Sequence, residues 1–186
     1  ARNFFQQENS DMNHLLSRIR VVISQIIKNS NLWEEILSFS SWASATGAMV
    51  NDVATKIVHD VFHLPDISVD GIERITSVIS QVEQLDDLFA IKSKPEYSTH
   101  QPGTDVSEGV SLTPKYADKW MKMKFLSEVL KSNLTDVKFL WFESDLSLYF
   151  SIEEIVELIQ LSFVMNAGAR GAIKEIKENP RPRGDH

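Results

Sequence analysis

The segment LLSRIRVVISQII (residues 15–27) carries the strongest helical pattern in the chain, because its large aliphatic residues recur at alternating steps of four and three. Leu15, Ile19, Val22 and Ile26 follow this spacing. A helix with 3.6 residues per turn brings such positions to one face. The stretch therefore predicts an amphipathic helix that buries this face against other parts of the chain.

A second and longer helical pattern follows. Asn31, with Glu34 three residues later, resembles a capping box and predicts the start of this helix, and Pro65 ends it. At 1.5 Å per residue, a helix of about thirty residues is about 45 Å long. The predicted inner face consists of Trp33, Ile36, Ser40, Ala43, Gly47, Val50, Ala54, Ile57 and Val61.

Small residues in the middle of this helix predict a close helix crossing. Ala43, Gly47 and Ala48 lie within six residues of one another. Glycine inside a helix is less favourable than alanine by about 1 kcal/mol, so its presence there needs a compensating gain such as close packing. A hinge at Gly47 is the alternative.

The rest of the chain contains further helical patterns and one long loop. Ser68 is a predicted N-cap, residues 91–114 read as a long mobile loop, and a helical pattern resumes over residues 120–141. Ser151 and Glu154 form a capping box before the last helix. Because no alternating strand pattern is found, we predict an all-α fold, an antiparallel bundle of about five helices.

The predicted organisation divides the chain into four parts. These are the long helices of the bundle (1–90), a flexible loop (91–114), a C-terminal helical hairpin of the same domain (115–179) and a disordered tail (180–186). The chain starts at Ala1 without an initiator methionine, and we expect it to be a fragment of a larger protein.

Charge and composition exclude several classes of function. The net charge of −7 argues against a general nucleic-acid binder, which needs a basic surface. The absence of cysteine removes thiol nucleophiles, disulfides and thiolate zinc sites. No glycine-rich phosphate loop or dinucleotide fingerprint is present, and no cofactor is expected.

One motif resembles a catalytic metal site. His59, Asp60 and His63 form H-D-x-x-H, and the four-residue spacing brings both imidazoles to one face of a helix. Aspartate is one methylene shorter than the usual general base, and the pattern supplies no third ligand. We therefore predict two partly exposed histidines at a helix end. A zinc-dependent hydrolase built on His59 and His63 remains the alternative.

Residues 140–150 (LWFESDLSLYF) are dense in aromatic side chains at a connection between helices. Such a segment either plugs the end of the bundle or forms a patch that binds a partner. The plug is the favoured interpretation.

The final third of the chain resembles a known family. It contains KWMKMKFLSEVL (119–130), FSIEEIVELIQLSF (150–163) and AIKEIK (172–177), in this order. These segments resemble the extreme C-terminus of the Zeste-white-ten/Dsl family of vesicle-tethering subunits, which share a Lys-Trp-Met helix, a Phe-Ser-x-x-Glu helix start and an Ile-Lys ending. The similarity covers residues 66–177, and the divergence favours a fungal Dsl-type member.

The resemblance implies a non-enzymatic interaction domain in a helical-rod subunit. Such subunits belong to the endoplasmic-reticulum tethering complex that acts in Golgi-to-ER retrograde transport. The implied location is the cytoplasmic face of the endoplasmic reticulum, peripheral to the membrane. The implied partner is an α-solenoid subunit, with ER SNAREs and COPI vesicles as indirect partners.

The resemblance to Dsl-type subunits implies that any coat-binding part would be an acidic loop that contains tryptophan. Residues 91–114 have no tryptophan, so we assign no coat binding to them. A subunit of another helical-rod tether, such as the exocyst, is a further alternative. The predicted partner contacts are Trp141, Phe142, Tyr149, Arg170 and Lys174.

Overall fold

The structure is a computed structural model that describes residues 5, 12–90 and 111–180. This part of the chain contains helices and no strand, which confirms the all-α prediction. The elements are α1 (Met12–Glu34), α2 (Phe39–Phe62), α3 (Val69–Val82), a 3-10 helix (Glu83–Phe89), α4 (Thr113–Tyr116), α5 (Trp120–Lys131), α6 (Leu134–Glu143), α7 (Leu146–Tyr149), α8 (Ile152–Ser162) and α9 (Ala167–Glu178).

The break between the first two helices lies further along the chain than predicted. α1 runs through Asn31 to Glu34, so Asn31 is inside a helix and is not a cap. The true N-cap of α2 is Ser38, whose side chain accepts a hydrogen bond from the backbone N–H of Ser41 at 3.3 Å. Both residues are good capping types, and the sequence motif alone does not show which one starts the helix.

This shift changes the inner faces of both helices. In α1 the buried positions are Leu15, Ile19, Ile23 and Ile26, while Val22 is exposed, contrary to the prediction. In α2 the predicted face is buried from Ala43 onward, but the two residues Ile36 and Ser40 are exposed. Ile36 is exposed because it lies in the connection between α1 and α2. Ser40 is exposed because it lies in the first helical turn of α2, before the helix enters the core.

Gly47 lies at a close approach, as predicted. It is buried in α2, where a Cβ atom built on it would lie 2.5 Å from both Cβ and the carbonyl oxygen of Tyr116 in α4. Ala43 is also fully buried, whereas Ala48 is exposed and takes no part in the contact. The neighbour at this crossing is the short helix α4.

Two predicted helices are each divided in the structure. The helical pattern over residues 120–141 forms α5 and α6, because Asn133 caps α6 by accepting hydrogen bonds from the N–H groups of Thr135 and Asp136. The last helix forms α8 and α9, with Asn166 as the N-cap of α9. The N-caps Ser68 and Ser151 are confirmed, the latter with a complete capping box.

One hydrophobic core joins all the long helices. α1 packs on α2 and α3, and α5 packs on both α2 and α3, while α9 packs on α6 and α8. The largest side chains that are fully buried include Trp120, Trp141 and Phe150. The C-terminal helices are therefore part of the same bundle as the long N-terminal helices.

The described residues include only part of the predicted loop and tail. Residues 91–110 and 181–186 lie outside them, and α4 occupies the end of the segment predicted as a loop. No helix within the described ranges is long and apolar enough to cross a membrane.

Candidate partner-binding surface

The two histidines of the H-D-x-x-H motif lie together at the C-terminal end of α2. Their rings stack, with centroids 4.0 Å apart and planes 18° from parallel. His63 Nδ1 lies 2.7 Å from the carbonyl oxygen of His59, and His59 Nδ1 lies 3.2 Å from Asp60 Oδ1. Asp60 is buried and paired with Lys56, so it contributes to the last turns of α2 and is not a free base.

The histidine pair borders an open groove of about 610 Å³ between α2, α5 and α8. The groove is lined by Thr55, Val58, His59, Phe62, His63, Lys119, Lys122, Glu154 and Glu157. Among residues 12–90 and 111–180, no group of three or more His, Asp or Glu side chains is arranged to hold a metal ion. A three-ligand catalytic zinc site is therefore not formed by the described residues.

An ion pair crosses the floor of this groove. Lys122 of α5 is largely buried and pairs with Glu154 of α8, and its ammonium also lies 5.0 Å from the centre of the Phe150 ring. The other oxygen of Glu154 accepts a hydrogen bond from the backbone N–H of Ser151 at 2.8 Å. The Glu154 carboxylate therefore caps α8 and neutralises the buried ammonium of Lys122. These structural roles account for the charged groups of both residues.

The aromatic segment 140–150 is divided between the core and the surface. Phe150 and Leu146 are fully buried, and Trp141 is only 2% exposed. Phe142 and Tyr149 are half-buried, and the Tyr149 ring stacks on Phe125 at 5.3 Å. Most of the segment thus packs in or against the hydrophobic core, which agrees with the favoured interpretation.

One predicted contact residue, Trp141, is buried. Because it is part of the core, a partner cannot reach it while the bundle is folded, which contradicts its prediction as a contact. The other four predicted contacts keep some exposure. Phe142 lies on α6 and Tyr149 on α7, both half-buried, and Arg170 and Lys174 lie exposed on α9.

Helix α9 has one face in the core and one in solvent. Ala169, Ile173 and Ile176 are buried, whereas Arg170 and Lys174 are exposed. Arg170 donates a hydrogen bond to the carbonyl oxygen of Met165 at 3.1 Å, just before the helix. Ile173 and Ile176 are buried, as the helical pattern predicts, and the role of Arg170 and Lys174 as partner contacts stays a prediction.

Two corners of the bundle expose large apolar side chains whose exposure the sequence pattern did not predict. We call the first the α1–α2 corner; it comprises Leu32, Ile36, Leu37 and Phe39, of which Ile36 is 79% and Phe39 is 61% exposed. We call the second the α8–α9 corner; it comprises Val164, which is 84% exposed, and Met165. The sequence signals these corners only through their N-caps. Ser38 lies within the α1–α2 corner, and Asn166 directly follows the α8–α9 corner.

Taken together, the described residues form a helical bundle with two apolar corners and a charged outer face on α9. Exposed apolar side chains beside charged ones are the features of a surface that binds other proteins. The fold and surface therefore define an all-α helical domain with exposed apolar corners.

Comparisons with known proteins place this domain in a family. Residues 17–175 match the family model of the ZW10 C-terminal helical domain. Because the match covers most of the chain, the protein belongs to this family, as the sequence resemblance predicts.

Two curated relatives are similar over nearly the whole chain. They are the centromere/kinetochore protein zw10 homologs of Rattus norvegicus and Mus musculus, each 24% identical over 181 residues. The alignment covers 95% of this chain but 22% of each relative, so the chain spans about a fifth of the length of these relatives. The family is associated with tethering and with kinetochores.

Proposed function

We propose that this domain is a non-enzymatic interaction module of a vesicle-tethering complex at the endoplasmic reticulum, acting in Golgi-to-ER retrograde transport. The observation that carries the proposal is the match to the ZW10 C-terminal helical domain over residues 17–175. The module would dock on an α-solenoid subunit and reach ER SNAREs and COPI vesicles through it. It would thus lie at the cytoplasmic face of the membrane and be held there by its partners.

The docking surface that we propose is the outer face of α9 together with the α8–α9 corner. Val164 and Met165 supply apolar area, and Arg170 and Lys174 supply positive charge within two turns of it. The ion pair of Lys174 with Glu178 is 3.6 Å long and exposed, and such pairs contribute little to stability. These cations can therefore exchange their present contacts for acidic side chains on a helical partner.

Charge reversal tests this surface without removing any core residue. Arg170→Glu combined with Lys174→Glu is expected to weaken binding to the purified solenoid subunit more than tenfold. The reason is that like charges across an interface are unfavourable by several kcal/mol, and about 1.4 kcal/mol is tenfold in affinity. Calorimetric titration measures the affinity, and circular dichroism checks that the variant is folded.

A matched control carries the same charge change elsewhere. Lys28→Glu combined with Lys131→Glu alters two exposed lysines of α1 and α5, and this variant should bind the solenoid subunit as the unchanged chain does. If the control loses binding and the α9 variant does not, the proposed surface is wrong. If the unchanged chain ignores the solenoid subunit but binds an exocyst subunit, the assignment to the ER complex is wrong.

A second candidate function is attachment at the kinetochore. It is favoured by the printed name of the two relatives, which are centromere/kinetochore proteins. Imaging of the fluorescently tagged natural protein through mitosis separates the candidates. The tethering proposal predicts signal at the endoplasmic reticulum throughout, and accumulation only at kinetochores would favour the second candidate.

A further inference from the structure

The stacked histidine pair at the end of α2 has a geometry that its position in a helix does not require. His59 and His63 are one helical turn apart, and both are exposed, the His59 side chain to 59%. Their rings face one another at 4.0 Å. Residues four apart on a helix are neighbours, and two imidazoles at this spacing can bind one ion once the rings turn out of the stack so that both Nε2 atoms point to it.

Both rings already have the outer contacts that metal-binding histidines use. The partner of His59 Nδ1 is the carboxylate of Asp60, and the partner of His63 Nδ1 is a backbone carbonyl. Both partners only accept hydrogen bonds, so a neutral ring carries its proton on Nδ1 and keeps its lone pair on Nε2. Carboxylates and carbonyls in this position fix the ring orientation and raise the basicity of the ligating nitrogen.

We propose that His59 and His63 form a binding site for a divalent transition-metal ion, held through the two Nε2 atoms with water in the remaining positions. Imidazole suits copper, nickel and zinc, and among these divalent ions copper binds nitrogen ligands most strongly. The adjoining groove gives room for the bound water. The inference does not depend on the proposed tethering function.

The charges around the groove limit the affinity of this site. Glu157 and Glu154 line the groove and favour a cation, although Glu154 is already paired with Lys122. Lys119 lines the same groove and opposes a cation. With two protein ligands, the site is expected to be exchangeable and weaker than the four-ligand sites of structural zinc. A bound ion would join adjacent turns and stabilise the end of α2.

The test is titration of the untagged chain with Cu²⁺ and, separately, Zn²⁺ by calorimetry. Loss of an outer contact alone lowers metal affinity roughly 10- to 100-fold, so His59→Ala and His63→Ala should each weaken binding at least tenfold. His14→Ala is the matched control, because His14 is an exposed histidine on α1, and it should leave the affinity unchanged.

Electron paramagnetic resonance of the Cu²⁺ complex gives an independent readout. The unchanged chain should show coupling to two imidazole nitrogens, and the His59→Ala chain to one fewer. Bound metal should also raise the melting temperature of the unchanged chain, because a ligand that binds only the folded state stabilises it. Equal affinity in the unchanged and His63→Ala chains, or no binding at all, would overturn the proposal.

Discussion

At the scale of single residues, Gly47 shows how one hydrogen atom in place of a side chain permits the packing of two helices. The backbone of Tyr116 lies where a side chain at position 47 would begin. Backbone atoms cannot move aside as the end of a flexible side chain can. The close contact therefore offsets the poor helix propensity of glycine, and α4 can lie directly on α2.

Gly47→Ala is expected to destabilise the domain by about 1 kcal/mol net. Overpacking a close contact typically lowers the free energy of unfolding by roughly 1–3 kcal/mol, which outweighs the gain of about 1 kcal/mol in helix propensity. Gly171→Ala in α9 is the matched control, since a Cβ there meets nothing within 4 Å and should raise stability by roughly 0.5–1 kcal/mol. Urea unfolding followed by tryptophan fluorescence measures both, and equal effects would contradict the close approach.

At the scale of elements, the break between α1 and α2 decides which side chains face the core. A helix that started at Asn31 would have carried Ile36 inward, whereas the helix that starts at Phe39 leaves Ile36 in the turn and exposed. The Trp42 indole N–H donates to the carbonyl oxygen of Ser30 at 2.9 Å, which joins the two helices just beyond the break. Tertiary contacts of this kind select one capping site among several that the sequence permits.

Ser38→Ala is expected to lower the free energy of unfolding by about 1 kcal/mol, because it removes the N-cap of α2. Asn31→Ala is the control; it replaces an exposed residue inside α1 by a better helix former and should be neutral or slightly stabilising. Chemical denaturation of the two variants in parallel compares them. The opposite ranking would show that α2 starts at the earlier position.

At the scale of the whole molecule, α9 is both a part of the core and the carrier of the proposed docking surface. Its inner face packs on α6 and α8, and Lys138 of α6 pairs with Glu175 on its flank. Removing the helix would therefore uncover core side chains as well as remove the surface. A loss of binding after such a deletion cannot distinguish the two effects, and charge reversal on α9 can.

Truncation after Asn166 is expected to lower the melting temperature by roughly 10 °C. Burial of Ile173 and Ile176 contributes roughly 3–6 kcal/mol, and 1 kcal/mol corresponds to about 2–4 °C for a domain of this size. The control is a chain that ends at Pro180 and lacks only residues of the predicted tail, and its melting temperature should not change. Calorimetric scanning measures both, and an unchanged melting temperature after loss of α9 would contradict its place in the core.

The amino-acid sequence was enough to predict the helical class, the buried face of α2 from Ala43 onward, the N-cap at Ser68, the capping box at Ser151 and the family. These follow from local spacing and from short hydrogen bonds within one turn, which do not depend on distant residues. Only the tertiary structure decided where α1 ends, that Trp141 is buried, and which apolar side chains remain at the corners. Those outcomes depend on which helices pack together, and packing is a property of contacts between distant residues that spacing along the chain does not contain.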